Sequence, residues 1–320
     1  LASFFPAKGS FATGMHYASK VFLFLLFFFY GAKLAPRETL LGLKNWRLHA
    51  VIFCFTFILF PIIGVGLKYA TIGWLGQGLA LGLLYLTLVP GTVQSSIAFT
   101  SVAHGNVAGA IVASSLSNIL GVFLTPLLVM LTMATTGDVH ITGRSILDIF
   151  LQILLPFIIG QLLHKYLGPG LNRHPILTKT VDRGTIWINV YTAFSQAVVE
   201  GVWMRVTALH LLALVGICIA VVSLVLVLSW CMAKGLGFNR EDCIAAQFCG
   251  SKKSLSSGIA MGAVLFAGST GELSAGILML PLMLFHLFQL LICAVLAGRY
   301  GRQWEREHTH AHANDQGAAQ

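Results

Sequence analysis

The stretch Gln247-Phe-Cys-Gly-Ser-Lys-Lys-Ser-Leu-Ser-Ser-Gly258 lies inside an apolar run extending from about 242 to 266. As one helix, the run would put Lys252 ten residues from its start, roughly 15 Å along the axis. That is the middle of a bilayer whose hydrocarbon core is about 30 Å thick. Two adjacent lysines cannot both snorkel out from there along one helix face. Charge at that depth is expensive and marks substrate or ion paths. Gly250 precedes the pair, and Ser251, Ser254, Ser256, Ser257 and Gly258 surround it. The stretch therefore reads as a helix that breaks, its freed backbone groups lining a polar cavity. The competing reading is a continuous kinked helix with both lysines turned into a water-filled crevice.

The rest of the chain is membrane-like. Hydrophobic residues make up 57% of it and charged residues 10%, against about 25% charged in soluble domains. Mean hydropathy is +0.83. At about 20 residues per span, 320 residues allow nine or ten helices. The apolar runs are continuous rather than alternating, which excludes barrel strands. The basic excess falls between the runs and shows no aromatic interleaving, so nucleic acid is not the expected partner. Six cysteines without a CxxC argue against a disulfide framework or zinc site. No GxSxG, HExxH or P-loop occurs, which leaves an enzyme without support.

Spans are expected at 15–34, 48–67, 78–103, 107–133, 146–167, 186–200 with some extension upstream, 209–232, 242–266 and 275–296. The chain opens on Leu1, and 1–5 reads as the tail of a helix. Most of a first span is thus expected upstream. One set of loops carries thirteen Lys and Arg and the opposite set five. The thirteen-charge side is expected to be cytoplasmic. With it go the C-terminus and a polar, disordered tail over 299–320, outside a transmembrane domain over 1–298. His308, His310 and His312 in that tail read as solvated rather than as a metal site.

A second interruption, Pro90-Gly91, falls in the span 78–103. Proline removes a donor and glycine permits unwinding. The two interrupted spans lie about half a ten-span protein apart. Five spans plus five, an odd number per half, makes an inverted repeat. Paired broken helices in such a repeat are a layout of secondary transporters. Around the first break lie Gln94, Ser95 and Ser96, then Ser114, Ser115, Ser117 and Asn118. These hydroxyls and amides suit a hard cation or a polar substrate group, or simply glue helices together. No acid falls at the middle of an expected span. The lysines' partners are therefore carbonyls, hydroxyls, amides, water or an anionic substrate.

Val89-Pro-Gly-Thr-Val-Gln-Ser-Ser-Ile-Ala-Phe-Thr100, with His104-Gly-Asn106 and the Ser/Asn-rich span after it, resembles the crossing region of the bile acid:sodium symporter superfamily. Phe248-Cys-Gly-Ser-Lys-Lys-Ser-Leu-Ser256 is similar to the signature of an outlying branch shared by bacteria and eukaryotes. The resemblance implies an all-α fold of ten helices, arranged as a panel and a core, two of them broken where they cross. It also implies transport of organic anions with sodium. In that frame Gln247 occupies the place of a sodium-binding glutamate, and Lys252-Lys253 replace an amide pair. Ser95 and Ser96 lie near the family's Ser-Asn pair. Ser114, Ser115, Ser117 and Asn118 correspond broadly to its hydroxyl sodium ligands.

Together these readings give a secondary transporter of a small organic anion in a bacterial inner membrane. Its site is expected at Gln94, Ser95, Ser96, Ser114, Ser115, Ser117, Asn118, Gln247, Ser251, Lys252, Lys253 and Ser254, with breaks at Pro90, Gly91 and Gly250. No cofactor or metal is expected beyond Na+ or H+ as coupling ion. A lysine is expected to bind the anion, lose its proton, or fill the sodium site. The eukaryotic member's association with calcium handling implies the alternative, a non-transporting membrane regulatory protein. The geometric expectation is that 90–96 and 250–254 approach within about 15 Å, three helical pitches.

Overall fold

The structure, a computed structural model, describes residues 5–33, 45–134, 147, 150–199, 201 and 206–318. Every described element is helical. Helix α1 is Gly9–Lys33. Helix α2, Trp46–Cys54, passes through a π-helical turn, Phe55–Leu59, into α3, Phe60–Leu75. Then come α4, Gln77–Leu88, α5, Gln94–Val102, and α6, Val107–Val129. A second π turn, Met130–Ala134, extends α6, and a third, Phe150–Leu154, leads into α7, Leu155–Leu162, followed by α8, His164–Arg173, and α9, Pro175–Val199. The chain continues with α10, Ala208–Gly235, α11, Arg240–Gly250, α12, Leu255–Leu265, and α13, Ala275–Ala318.

Gly9–Lys33, Trp46–Leu75, Val107–Met133, Ala208–Gly235 and Ala275–Glu307 are long and apolar enough to cross a membrane. Phe150–Leu162 and His164–Leu171 pass the same test as a pair bent by 92°. Ile62, Leu212 and Val227 expose more than half of their surface, as lipid-facing side chains do. Both expected interruptions are present: α4 and α5 are separated at 89–93, and α11 and α12 at 251–254.

The span expected at 186–200 with some extension upstream does extend, beginning at Pro175, eleven residues before 186. Its first turns carry Lys179, Asp182 and Arg183, so hydropathy alone hid them. The tail beyond Arg299 is not disordered where described, but continues α13 to Ala318. Its first turns pack on neighbouring elements. Trp304 stacks on His104 at 3.9 Å, and Arg240 donates to the Tyr300 carbonyl at 3.0 Å. Residues 1–4, and the loop charges Arg37, Lys44, Arg144 and Arg205, lie outside the described residues.

The helices form two packed groups. One joins α1, α7, α8 and α9. The other gathers the remaining helices around the two broken pairs, and they meet where α9 lies on α12 and α13. Inside the first group α1 and α7 touch backbone to backbone. A methyl built at Gly31 would overlap the Phe157 carbonyl, and one at Gly160 the Phe28 carbonyl. Small residues permit such close crossings in membranes. Gly31→Ala or Gly160→Ala must push the helices apart, at about 1–3 kcal/mol. Gly66→Ala meets nothing within 4 Å and should be neutral or slightly stabilising. Thermal unfolding in detergent should show the first two melting below the parent and the third not.

Candidate functional site

The two breaks cross in contact. Ser254 N donates to the Pro90 carbonyl at 2.8 Å, and Ser96 Oγ donates to the Phe248 carbonyl at 3.2 Å. Gly91 N, left without a helical acceptor, donates to Ser117 Oγ at 3.0 Å. Thr125 Oγ1 donates to the Leu88 carbonyl at 2.9 Å. The half-helices are thus tied by bonds that replace those their unwinding removed.

Lys253 sits at the centre. Its ammonium donates to the carbonyls of Thr56, Thr87 and Val89 at 2.9, 2.8 and 2.9 Å. It also lies 4.2 Å from the centroid of the Phe60 ring. Each carbonyl is free for a stated reason. Thr87 and Val89 lie at the C-terminal end of α4, where helical carbonyls lack donors and the dipole is negative. Thr56 lies in the π turn. There Phe60 N, which would bond Thr56 in an α-helix, bonds the Phe55 carbonyl instead. In the shifted register the donor for Thr56 would be residue 61, a proline with no N–H. Lys253 therefore closes a cage of orphan acceptors, with all three of its protons used.

The Lys253 peptide is held as tightly. Gln289 Oε1 accepts from Lys253 N at 2.9 Å, and Gln289 Nε2 donates to the Lys253 carbonyl at 2.8 Å. Lys252 donates to the Ser95 carbonyl at 2.8 Å and lies 3.9 and 5.3 Å from the ring centroids of Phe99 and Phe248. Both lysine side chains are fully buried.

Beside the crossing, between the two helix groups, is a cavity of about 700 Å³. Of the expected site residues, Gln94, Ser95, Ser115, Asn118 and Ser254 line it. Its lining includes the first residues of α5 and α12, and hence two helix N-termini. Ser254 caps α12 by accepting from Ser257 N; α5 has no side-chain cap. The remaining expected residues sit behind the lining and hold the crossing. Ser251 Oγ donates to the Gln247 carbonyl at 2.6 Å. Ser114 Oγ donates to Cys249 Sγ at 3.6 Å. The Gln247 amide donates to the Leu226 carbonyl and accepts from Tyr300 OH, at 2.9 and 3.1 Å. Neither lysine lines the cavity.

Sequence reasoning missed Thr56, Thr87 and Gln289, which position Lys253, and Tyr30, Asp182, Ser256 and His286, which line the cavity. His286 and Gln289 carried a legible signal: two polar residues one turn apart in an apolar span. Thr56 also carried one, five residues before Pro61.

Residues 1–302 match the SBF-like CPA transporter family. The chain belongs to this family. A Pseudomonas aeruginosa protein, “Uncharacterized protein PA2026”, is 46% identical over 95% of this chain and 90% of its own length. The Escherichia coli protein “Putative symporter YfeH” is 45% identical over 96% of this chain and 91% of its own. “Sodium/bile acid cotransporter 7” of Xenopus tropicalis is 28% identical over 85% and 78%. This SBF-like protein is an integral membrane transporter of a small solute, with no enzymatic role, and its resemblance to bile acid:sodium symporters holds along the chain.

The cage makes a direct prediction for stability. Lys253→Met leaves three buried carbonyls bare, each costing about 1–3 kcal/mol. Lys252→Met exposes one carbonyl that lies inside α5 and keeps its helical donor. Melting in detergent should fall far more for Lys253→Met than for Lys252→Met.

Proposed function

We propose that the protein carries a small organic anion across a bacterial cytoplasmic membrane by alternating access, with the lysine pair taking the place of bound sodium and the proton as driving ion. The observation that carries this reading is the cavity flanked by both half-helix N-termini. Exposed N–H groups and the positive dipole end favour an anion there. Lys33, Lys179 and Arg183 also line the cavity and add positive charge toward one mouth. Lys33 ends α1, and Lys179 and Arg183 stand in the first turns of α9, on the side of the basic-rich loops, so this conformation faces the cytoplasm, the side that also holds the C-terminus. The half-chain spacing of the two breaks supports an inverted five-plus-five repeat rocking about the crossing.

Sodium coupling is disfavoured by the cage. A sodium ion needs oxygen ligands at the crossing, and there the Lys253 ammonium already holds three carbonyls. Gln247 supplies no negative charge, and its amide is committed to Leu226 and Tyr300. The relatives named sodium/bile acid cotransporter suggest an organic anion, but need not share its driving ion.

Anionic metabolites that raise the melting temperature of purified protein would be tested for counterflow in proteoliposomes. Saturable counterflow, insensitive to replacing sodium with choline and driven by a pH gradient, is the expected result. Strict sodium dependence would restore the ion coupling implied by the family. Absence of counterflow for every binding anion would favour the non-transporting regulatory reading.

A further inference from the structure

We propose that Asp182 is the proton site of this transporter, a carboxylate that latches the two helix groups when ionised and releases them when it takes up a proton. The inference deepens the transport reading and rests on it. Asp182 lies seven residues into α9, roughly 10 Å along its axis. Among the described residues lining the cavity it is the one acid. Tyr30 OH on α1 donates to Asp182 Oδ1 at 3.1 Å. The same hydroxyl lies 3.4 Å from Ser256 Oγ on α12. Ser256 also hydrogen-bonds Asp182 itself. A hydrogen-bonded cluster thus links Ser256, Tyr30 and Asp182. It joins α12, in the group built on the crossing, to α1 and α9 in the other.

The cluster depends on charge. Hydrogen bonds to an ionised acceptor are roughly twice as strong as neutral ones. A proton from water entering the cavity, bound to a carboxylate oxygen, neutralises the charge and turns that oxygen into a donor. The bond from Tyr30 weakens, and with it the tie across the groups. The same event favours substrate. Ionised Asp182 offsets Lys33 on α1 and Lys179 and Arg183 on α9, and repels an anion in the shared cavity. Protonation removes that repulsion, so proton and anion assist each other's binding by the same factor. They then load together, as symport requires. Across the cavity the facing titratable group is His286 on α13, whose Nδ1 lies 2.7 Å from Gln289 Nε2 and accepts from it.

The test needs no substrate. Spin labels at Val21→Cys on α1 and Leu287→Cys on α13, both exposed, span the two groups. The background replaces the accessible Cys231 and Cys54 with serine. Electron-resonance distances are read in lipid nanodiscs at about pH 5 and about pH 8. The parent should shift between two distributions. Asp182→Asn should show the acidic distribution at both pH values, and Asp182→Glu should keep the shift. Tyr30→Phe, which removes the donor, should also hold the acidic distribution at both. A parent without a shift, or an Asp182→Asn chain that shifts like the parent, overturns the proposal. Counterflow judges the transport reading separately, so the two can fail independently.

Discussion

The contact on which the structure turns is a lysine ammonium bound by three main-chain carbonyls where two broken helices cross. Unwinding a helix in a membrane is tolerated only where the freed groups find partners inside the protein. Here the break after α4 frees the Thr87 and Val89 carbonyls, and the π turn before Pro61 frees Thr56. Three acceptors and a negative helix end call for a cation. Lys253 supplies one that is covalently tethered, so the cage needs no ion from solution. Gln289 then fixes the peptide carrying that cation from both sides.

Electrostatics divides the crossing into two faces. The C-terminal end of α4 is closed by Lys253 and buried. The N-terminal ends of α5 and α12 lie on the cavity side, where Gln94, Ser95, Asn118, Ser254 and Ser256 offer donors and acceptors. The buried lysine holds the crossing together, and the two helix N-termini are left facing the cavity. The group that holds the crossing together is thus separate from the groups that line the cavity.

Much of this was legible in the chain. Lys252-Lys253 inside an apolar run and Pro90-Gly91 half a chain away marked the two breaks, because charge and proline both conflict with an uninterrupted membrane helix. Their contact follows, since each break's orphan groups are satisfied by the other. The lysines' role was not legible. An isolated apolar run does not reveal that a π turn near the start of the chain frees a third carbonyl, and without that cage a buried ammonium reads as an anion site. Asp182 was hidden for a different reason: the first turns of α9 face a polar cavity, so hydropathy placed them in a loop. The continuation of α13 past Arg299 was missed because it is polar in sequence, yet its first turns contact other elements through Tyr300 and Trp304.

The most direct measurement is chemical rescue of the cage. Lys253→Ala removes the ammonium and leaves room for a small cation among the three carbonyls. The account predicts that melting of this variant in detergent falls below the parent and is restored by saturating methylammonium or sodium, while the parent responds to neither. A Lys253→Ala chain as stable as the parent, or one that no cation stabilises, would contradict it.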